Sequence, residues 1–147
     1  MTAKGRANST RTILRMRGGL FHNHLVSQAA VIFREAGCVV RCEQALTLKG
    51  GQKVFVDLLA CRAGLVLAGE VETTARHAGR AGAKARSLNV PVWLIVPSRR
   101  VRAELLRKIG PLAPDRDVGP IQILLPGELA QRLSSPLKKG LLTHMVL

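Results

Sequence analysis

Three carboxylates stand close together near the middle of the chain, at Asp57, Glu70 and Glu72. Carboxylate oxygens bind hard divalent cations and act as general acids or bases. Asp57 lies in the apolar stretch KVFVDLLA, where burying a carboxylate is costly unless it binds a cation or accepts several hydrogen bonds. These residue types predict a cation-binding or acid–base site, provided that the elements carrying them are neighbours in the fold.

The segments that carry the three acids are typical of β-strands. Residues 38–48, 53–62 and 65–72 are rich in apolar and β-branched side chains and are separated by a KGGQ turn and an Ala-Gly turn. Short turns predict antiparallel neighbours, so the first acid should approach the other two across the ladder. Side chains alternate along a strand, so Glu70 and Glu72 share a face, roughly 6.6 Å apart. Three carboxylates at this spacing repel one another, and a divalent cation relieves the repulsion.

Ordinary surface charge is the alternative interpretation of the Glu-x-Glu pair. On a solvated strand face, Glu70 and Glu72 would pair with Arg76 or Arg80 and have no chemical role. The apolar setting of Asp57 and the strand-turn-strand spacing favour the functional site.

The rest of the chain alternates between helices and strands. Hydrophobic periodicity and turn signals predict helices over residues 20–36, 73–89, 99–110 and 127–133 and strands over residues 90–98 and 120–125. Thr73 or Thr74 is the expected N-cap of the second helix, and Ser98 that of the third. We therefore predict an α/β protein with one mixed sheet, in the order α-β-β-β-α-β-α-β-α, and helices packed against it. The strand after the second helix should run parallel to the Glu-bearing strand.

Strong positive charge is the main bulk property of the chain. Lys and Arg number 23 against nine Asp and Glu, which gives a net charge of +14. Such an excess favours a polyanionic partner, with nucleic acid as first choice and an anionic membrane surface as a distant second. The predicted contacts to nucleic acid are Arg76, Arg80, Lys84, Arg99, Arg100, Arg11, Arg15 and Arg17. A ribosome- or RNA-associated basic protein is the alternative.

The length of 147 residues fits one domain, which we place at residues 19–135 between a basic flexible arm (1–18) and a basic tail (136–147). No apolar run approaches the roughly 20 residues of a membrane helix, and the N-terminus has no secretory signal, so a cytoplasmic location is expected. Cys38, Cys42 and Cys61 lack the paired spacing of a zinc site and are predicted to be reduced thiols.

Residues 31–97 resemble the PD-(D/E)xK superfamily of restriction-endonuclease-like nucleases, and most nearly its Holliday-junction-resolvase-like members. The matching features are the helix end REAG, the strands around Asp57, the segment VLAGEVETT, the Ala-rich helix and VPVWLIVPS. The resemblance implies a restriction-endonuclease-like sheet and a homodimeric endonuclease, dependent on Mg²⁺ (or Mn²⁺), that hydrolyses phosphodiester bonds of duplex or branched DNA. It also implies that Asp57 and Glu70 are metal ligands, with the Val71 carbonyl as a candidate third ligand.

Two positions depart from the pattern of this superfamily. Glu72 stands where the family has lysine, and by resemblance to the minority of members with Glu-x-Glu it would serve as base or metal ligand. Alternatively, the role of the family's lysine is taken by Lys53, on the same strand as Asp57, or by Lys84 on the following helix. The first helix also lacks the usual glutamate, for which Gln28 is the nearest residue and Glu35 lies close to the helix end. A non-catalytic nucleic-acid-binding protein on the same fold is therefore the alternative function.

The histidines are assigned to capping or surface roles. His22 and His24 are two residues apart on a helix and do not share a face, so joint metal binding is not expected. His77 is predicted to be a solvated residue of the Ala-rich helix.

Overall fold

The structure, a computed structural model, describes residues 18–48, 50–110 and 121–134. Their helices and strands, in chain order, are α1 (Leu20–Glu35), β1 (Val39–Thr47), β2 (Lys53–Arg62), β3 (Leu65–Val71), α2 (Ala78–Ser87), β4 (Val92–Ile95), α3 (Arg99–Ile109), β5 (Gln122–Leu124) and α4 (Pro126–Ser134). The predicted basic arm (apart from Gly18), most of the loop after α3 and the predicted basic tail lie outside the described residues.

The five strands form one mixed sheet in the order β1-β2-β3-β4-β5. The first three are antiparallel neighbours joined by short turns. The turn between β2 and β3 has positive φ at both Ala63 (49°) and Gly64 (81°), the combination that a tight two-residue hairpin requires. β4 pairs parallel to β3 after the α2 crossover, and β5 pairs parallel to β4. The predicted α/β class, the antiparallel meander and the parallel pairing after the second helix are confirmed.

Helices cover both faces of the sheet and create two hydrophobic cores. On one face, α1 and α4 pack through Leu25, Phe33 and Leu129 against side chains of β2 and β4. On the other face, α2 and α3 pack through small Ala side chains and through Leu105 and Ile109. All four residues of β4 are buried, as predicted for a strand covered on both faces.

The alternation of side chains along the β1–β2 hairpin reverses at Asp57. Val56 belongs to the core beneath α2 and α3, whereas Leu58, two residues later, belongs to the core beneath α1 and α4. Residues two apart on a regular strand face the same way, so the strand is irregular at this point. Glu43 on β1 lies opposite Asp57, between the ladder pairs Cys42 with Leu58 and Gln44 with Val56, and has a φ of +49°. The irregularity therefore involves both strands and leaves their register unchanged.

The start of α2 differs from the prediction, whereas that of α3 is confirmed. Ser98 caps α3, and its hydroxyl accepts a hydrogen bond from the Val101 N–H (3.2 Å). The predicted cap of α2 at Thr73 or Thr74 is wrong, because the helix begins at Ala78 with His77 as N-cap. The Thr74 hydroxyl instead accepts a hydrogen bond from the backbone N–H two residues on (3.3 Å), a local turn that competes with helix.

None of the helices within the described part of the chain is long and apolar enough to cross a membrane.

Candidate active site

The candidate site lies where the antiparallel ladder between β2 and β3 ends. The last pair of this ladder is Leu58 with Gly69, so Asp57 and Glu70 are the next residues on the two strands. Glu70 is still paired on its other side, with Leu94 of β4, and so lies in the interior of the sheet. With 6% of its surface exposed, Glu70 is the one charged residue that is buried among those described. This register brings Asp57 and Glu70 together, as the sequence predicted.

Two hydrogen-bond donors converge on one oxygen of Asp57. His22 Nε2 on α1 lies 3.2 Å from Asp57 Oδ2, and the backbone N–H of Val71 donates to the same oxygen at 2.8 Å. Burial works against the ionised form of Asp57, but the His22 and Val71 contacts outweigh it and hold the pKa below its usual value. Asp57 is therefore a carboxylate at neutral pH. The same hydrogen bond raises the pKa of His22, against the opposing effect of burial.

The other acid, Glu70, is approached from the opposite face of the sheet. Lys84 Nζ on α2 lies 2.6 Å from Glu70 Oε1 and forms an ion pair with it. Within the described part of the chain, the buried Oε1 has this ion pair and no further hydrogen-bond donor. Burial and the charge of Asp57 raise the pKa of Glu70 to about 8, and Lys84 only partly offsets them. Glu70 therefore carries a proton at neutral pH, shared with Asp57.

The third acid of the cluster follows the end of β3. The backbone N–H of Glu72 donates to the Ile95 carbonyl (2.9 Å) and keeps this residue beside β4. Its side chain is half-buried. Burial and then the charge of Asp57 raise its pKa. A carboxylate with a raised pKa at the rim of the cluster is suited to accept a proton from a water molecule.

The remaining predicted site residues lie around this cluster at the surface. Lys53, at the start of β2, is exposed and forms no ion pair with the acids of the described chain, so Lys84 is the lysine that the fold brings to the cluster. Val71 contributes its N–H to Asp57, and its side chain is buried in the core. Exposed side chains are found at Arg76, Arg80, Arg99 and Arg100, of which the last pairs with Glu104. Arg11, Arg15 and Arg17 lie outside the described residues.

His22 is the member of the site that sequence reasoning missed. The prediction of a capping or surface role is wrong, because its imidazole faces the Asp57 carboxylate and Gly19 occupies the N-cap position without a side-chain cap. A signal was present in the sequence, since His22 precedes Val26 by four residues and so continues the buried stripe of α1. His24 lies off this stripe and is exposed.

A divalent cation suits the chemistry of the cluster. A buried oxygen of Glu70 that has Lys84 as its one charged partner, beside the ionised Asp57, forms with it an acceptor pair that Mg²⁺ or Mn²⁺ would satisfy in place of the proton. Within residues 18–48, 50–110 and 121–134 no three His, Cys, Asp or Glu side chains form a group that could hold a metal ion. Mg²⁺ is commonly held by one or two carboxylates, with water and substrate phosphate as further ligands. Asp57 and Glu70 meet this smaller requirement.

Comparisons with models of known protein families and with curated proteins give no match to this chain.

Proposed function

We propose that this protein is a Mg²⁺-dependent endonuclease (Mn²⁺ being the alternative ion) that hydrolyses phosphodiester bonds of duplex or branched DNA. The observation that carries the proposal is the pairing of Asp57 with the buried Glu70 at the end of a β-ladder in a chain of net charge +14. In so basic a protein, acids could pair with Lys or Arg at the surface. A buried acidic pair that must hold a proton instead destabilises the fold, which makes it a candidate functional site. A phosphodiester is the substrate class that suits both the acidic pair and the surrounding positive charge.

Asp57 and Glu70 would hold the cation, and the Val71 carbonyl is a candidate third ligand. When bound, Mg²⁺ supplies Lewis acidity towards the phosphate and a lowered pKa of a coordinated water. Glu72 would orient the attacking water and accept its proton, as its raised pKa allows. Lys84, 2.6 Å from Glu70, brings a positive charge to where negative charge develops on the phosphate. This arrangement makes Lys84 the stronger candidate than Lys53 for the role of the displaced lysine.

The phosphate backbone would be held by the basic residues that flank the acidic pair. Arg80 lies on α2 one turn before Lys84, and Arg76 lies just before this helix, both with exposed side chains. Their exposed charge suits phosphate contacts, which are not specific for sequence. We also propose a restriction-endonuclease-like topology and a homodimer, for which the support is the resemblance of residues 31–97. The element order of the described chain is compatible with this topology.

The test is cleavage of duplex, flap and four-way-junction DNA by wild type, Asp57→Ala and Glu70→Ala in Mg²⁺ or Mn²⁺. Loss of a metal-binding carboxylate should lower the rate by at least about 10³-fold, because the cation is no longer held against the phosphate. Glu104→Ala, which removes a partly exposed acid on α3, is the matched control and should cleave as wild type does. Wild-type cleavage that is absent, or that equals the Asp57→Ala rate on every substrate, would refute the enzymatic proposal.

One observation favours a second candidate, a non-catalytic nucleic-acid-binding protein. Glu70 holds a proton at neutral pH, and Lys84 faces it when the proton is lost, so the site keeps little uncompensated negative charge without a divalent cation. Such a protein would bind DNA in a salt-sensitive way, and Asp57→Ala would leave binding intact or strengthen it. Calorimetric titration with Mg²⁺ separates the two, since only the nuclease takes up the ion and loses this uptake in Asp57→Ala.

A further inference from the structure

We propose that His22 is a positioning residue which, together with the backbone N–H of Val71, holds Asp57 Oδ2 so that the other carboxylate oxygen is presented to a divalent cation. This inference rests on the proposed function and gives α1 a role in the site. The contact spans 35 residues of sequence and joins the start of the first helix to the irregular point of β2.

Two donors from different elements determine the orientation of a carboxylate better than one. His22 Nε2 approaches Asp57 Oδ2 from α1, and the Val71 N–H approaches the same oxygen from β3. With both donors in place, rotation of the carboxylate about Cβ–Cγ would break at least one of these bonds. Because Oδ2 already accepts two hydrogen bonds, Oδ1 is the oxygen left for a cation. Partners that orient a metal ligand in this way commonly change metal affinity when they are removed.

The imidazole is itself held in place by the turn before α1. Gly18 has a φ of +94°, and a Cβ added there would come within 2.5 Å of His22 Nδ1. The backbone of Gly18 therefore lies against the ring, where only glycine leaves room for it. On the next residue of the helix, Asn23 Oδ1 lies 3.4 Å from His22 Nδ1, and Asn23 Nδ2 donates to the Gly18 carbonyl at 3.5 Å. The Gly18 backbone and these longer contacts favour the ring orientation in which Nε2 points at Asp57.

A hydrogen-bond donor fits this geometry better than a metal ligand does. His22 Nε2 faces Asp57 Oδ2, and an ionised carboxylate only accepts hydrogen bonds, so this nitrogen is the donor. A ring nitrogen that carries a hydrogen has no lone pair to offer a cation. His22 therefore acts through Asp57.

The experiment compares His22→Leu, which removes the donor, with His22→Gln, whose amide N–H replaces it at similar reach. Wild type, both variants and Asp57→Ala are titrated with Mg²⁺ by calorimetry and assayed for cleavage over a range of Mg²⁺ concentrations. His22→Leu should raise the Kd for Mg²⁺ and the half-maximal Mg²⁺ concentration at least about 10-fold, while the cleavage rate recovers at saturating Mg²⁺. His22→Gln should restore most of the affinity, and Asp57→Ala should show no recovery. The matched control, His24→Leu, removes an exposed histidine of the same helix and should leave the Kd unchanged.

A second variant, which moves the His22 ring without removing it, keeps the test decisive if His22→Leu does not fold. Gly18→Ala should push the imidazole away from Asp57 and raise the Kd in the same direction as His22→Leu. If His22→Leu is unfolded, Gly18→Ala and His22→Gln decide the question. Unchanged Mg²⁺ affinity in the folded variants overturns the role of His22 and leaves the proposed function standing, provided that wild type binds Mg²⁺ and Asp57→Ala does not. A wild type that takes up no Mg²⁺ overturns both.

Discussion

The two central carboxylates of this protein differ although they are neighbours across one ladder. Asp57 is reached from the α1 face, accepts hydrogen bonds from His22 and the Val71 N–H, and has a lowered pKa. Glu70 is reached from the α2 face, pairs with Lys84, and has a pKa raised to about 8. Both are substantially buried. The difference lies in the donors, since Asp57 has two directed hydrogen bonds and the buried oxygen of Glu70 has an ion pair alone.

This asymmetry separates two properties that a cation site needs. The ionised Asp57 provides a fixed negative charge at neutral pH. Glu70 provides a group that holds a proton when no cation is present and can release it when one binds. The acidic pair can therefore persist in the folded protein without two adjacent buried negative charges.

Mg²⁺ binding should become tighter as the pH rises through the pKa of Glu70. Because Glu70 must lose its proton to bind the ion, a pKa of about 8 implies a Kd about 50-fold higher at pH 6 than at pH 8. Asp57 adds no dependence in this range, since its pKa is lowered. Calorimetry in buffers of different ionisation enthalpy measures both the Kd and the proton release. A Kd that is flat between pH 6 and 8, with no proton released, would show that Glu70 is not the coupled group.

Lys84→Met should destabilise the fold most at alkaline pH. The substitution keeps an apolar stem but leaves the buried Glu70 carboxylate without its cation, at a cost of roughly 1–3 kcal/mol at pH 9, given that Lys84 is partly exposed. At pH 6 the cost should be smaller, because Glu70 is then protonated. Urea denaturation at the two pH values measures the change in the free energy of unfolding. Lys53→Met, at an exposed lysine, is the matched control, and an equal effect at both pH values would contradict the assignment.

Isosteric amides at the two acids should have opposite effects on stability at pH 9. Between about pH 4.5 and 8 the folded protein retains a proton on Glu70 that the unfolded chain has lost, so wild-type stability falls as the pH rises. Glu70→Gln removes this loss and should raise Tm at pH 9 by about 4 °C, or about 1 kcal/mol. The lowered pKa of Asp57 instead adds stability that is present above about pH 4 and lost as the pH falls through its folded pKa. Asp57→Asn should therefore lower Tm at pH 9 by a similar amount.

Thermal unfolding of wild type and both amides from pH 5 to pH 9 measures these opposite signs. At pH 5 the Glu70→Gln advantage should largely disappear, because Glu70 is protonated in the folded state there. Shifts of the same sign in both variants at pH 9 would mean that the two carboxylates do not differ in the way described.

Most of the elements, and the strand pairing around the site, follow from local features of the sequence. Alternating apolar residues, the turn signals after β1 and β2, and the serine before α3 all act within a few residues, so they can be recognised without tertiary contacts. Tight turns between consecutive strands also predicted that Asp57 and Glu70 would meet. The antiparallel pairing of β2 with β3 therefore follows from local features of the sequence.

The partner of each acid depends on the packing of distant parts of the chain. His22 reaches Asp57 across 35 residues, and Lys84, rather than Lys53, reaches Glu70. The side-chain reversal at Asp57 breaks the alternation on which strand-parity arguments depend. Desolvation, which dominates the pKa shift of Glu70, depends on how closely both helical layers cover the sheet. Distance and burial are properties of the packed molecule, so the sequence could predict the acidic cluster but not the different charge states of its members.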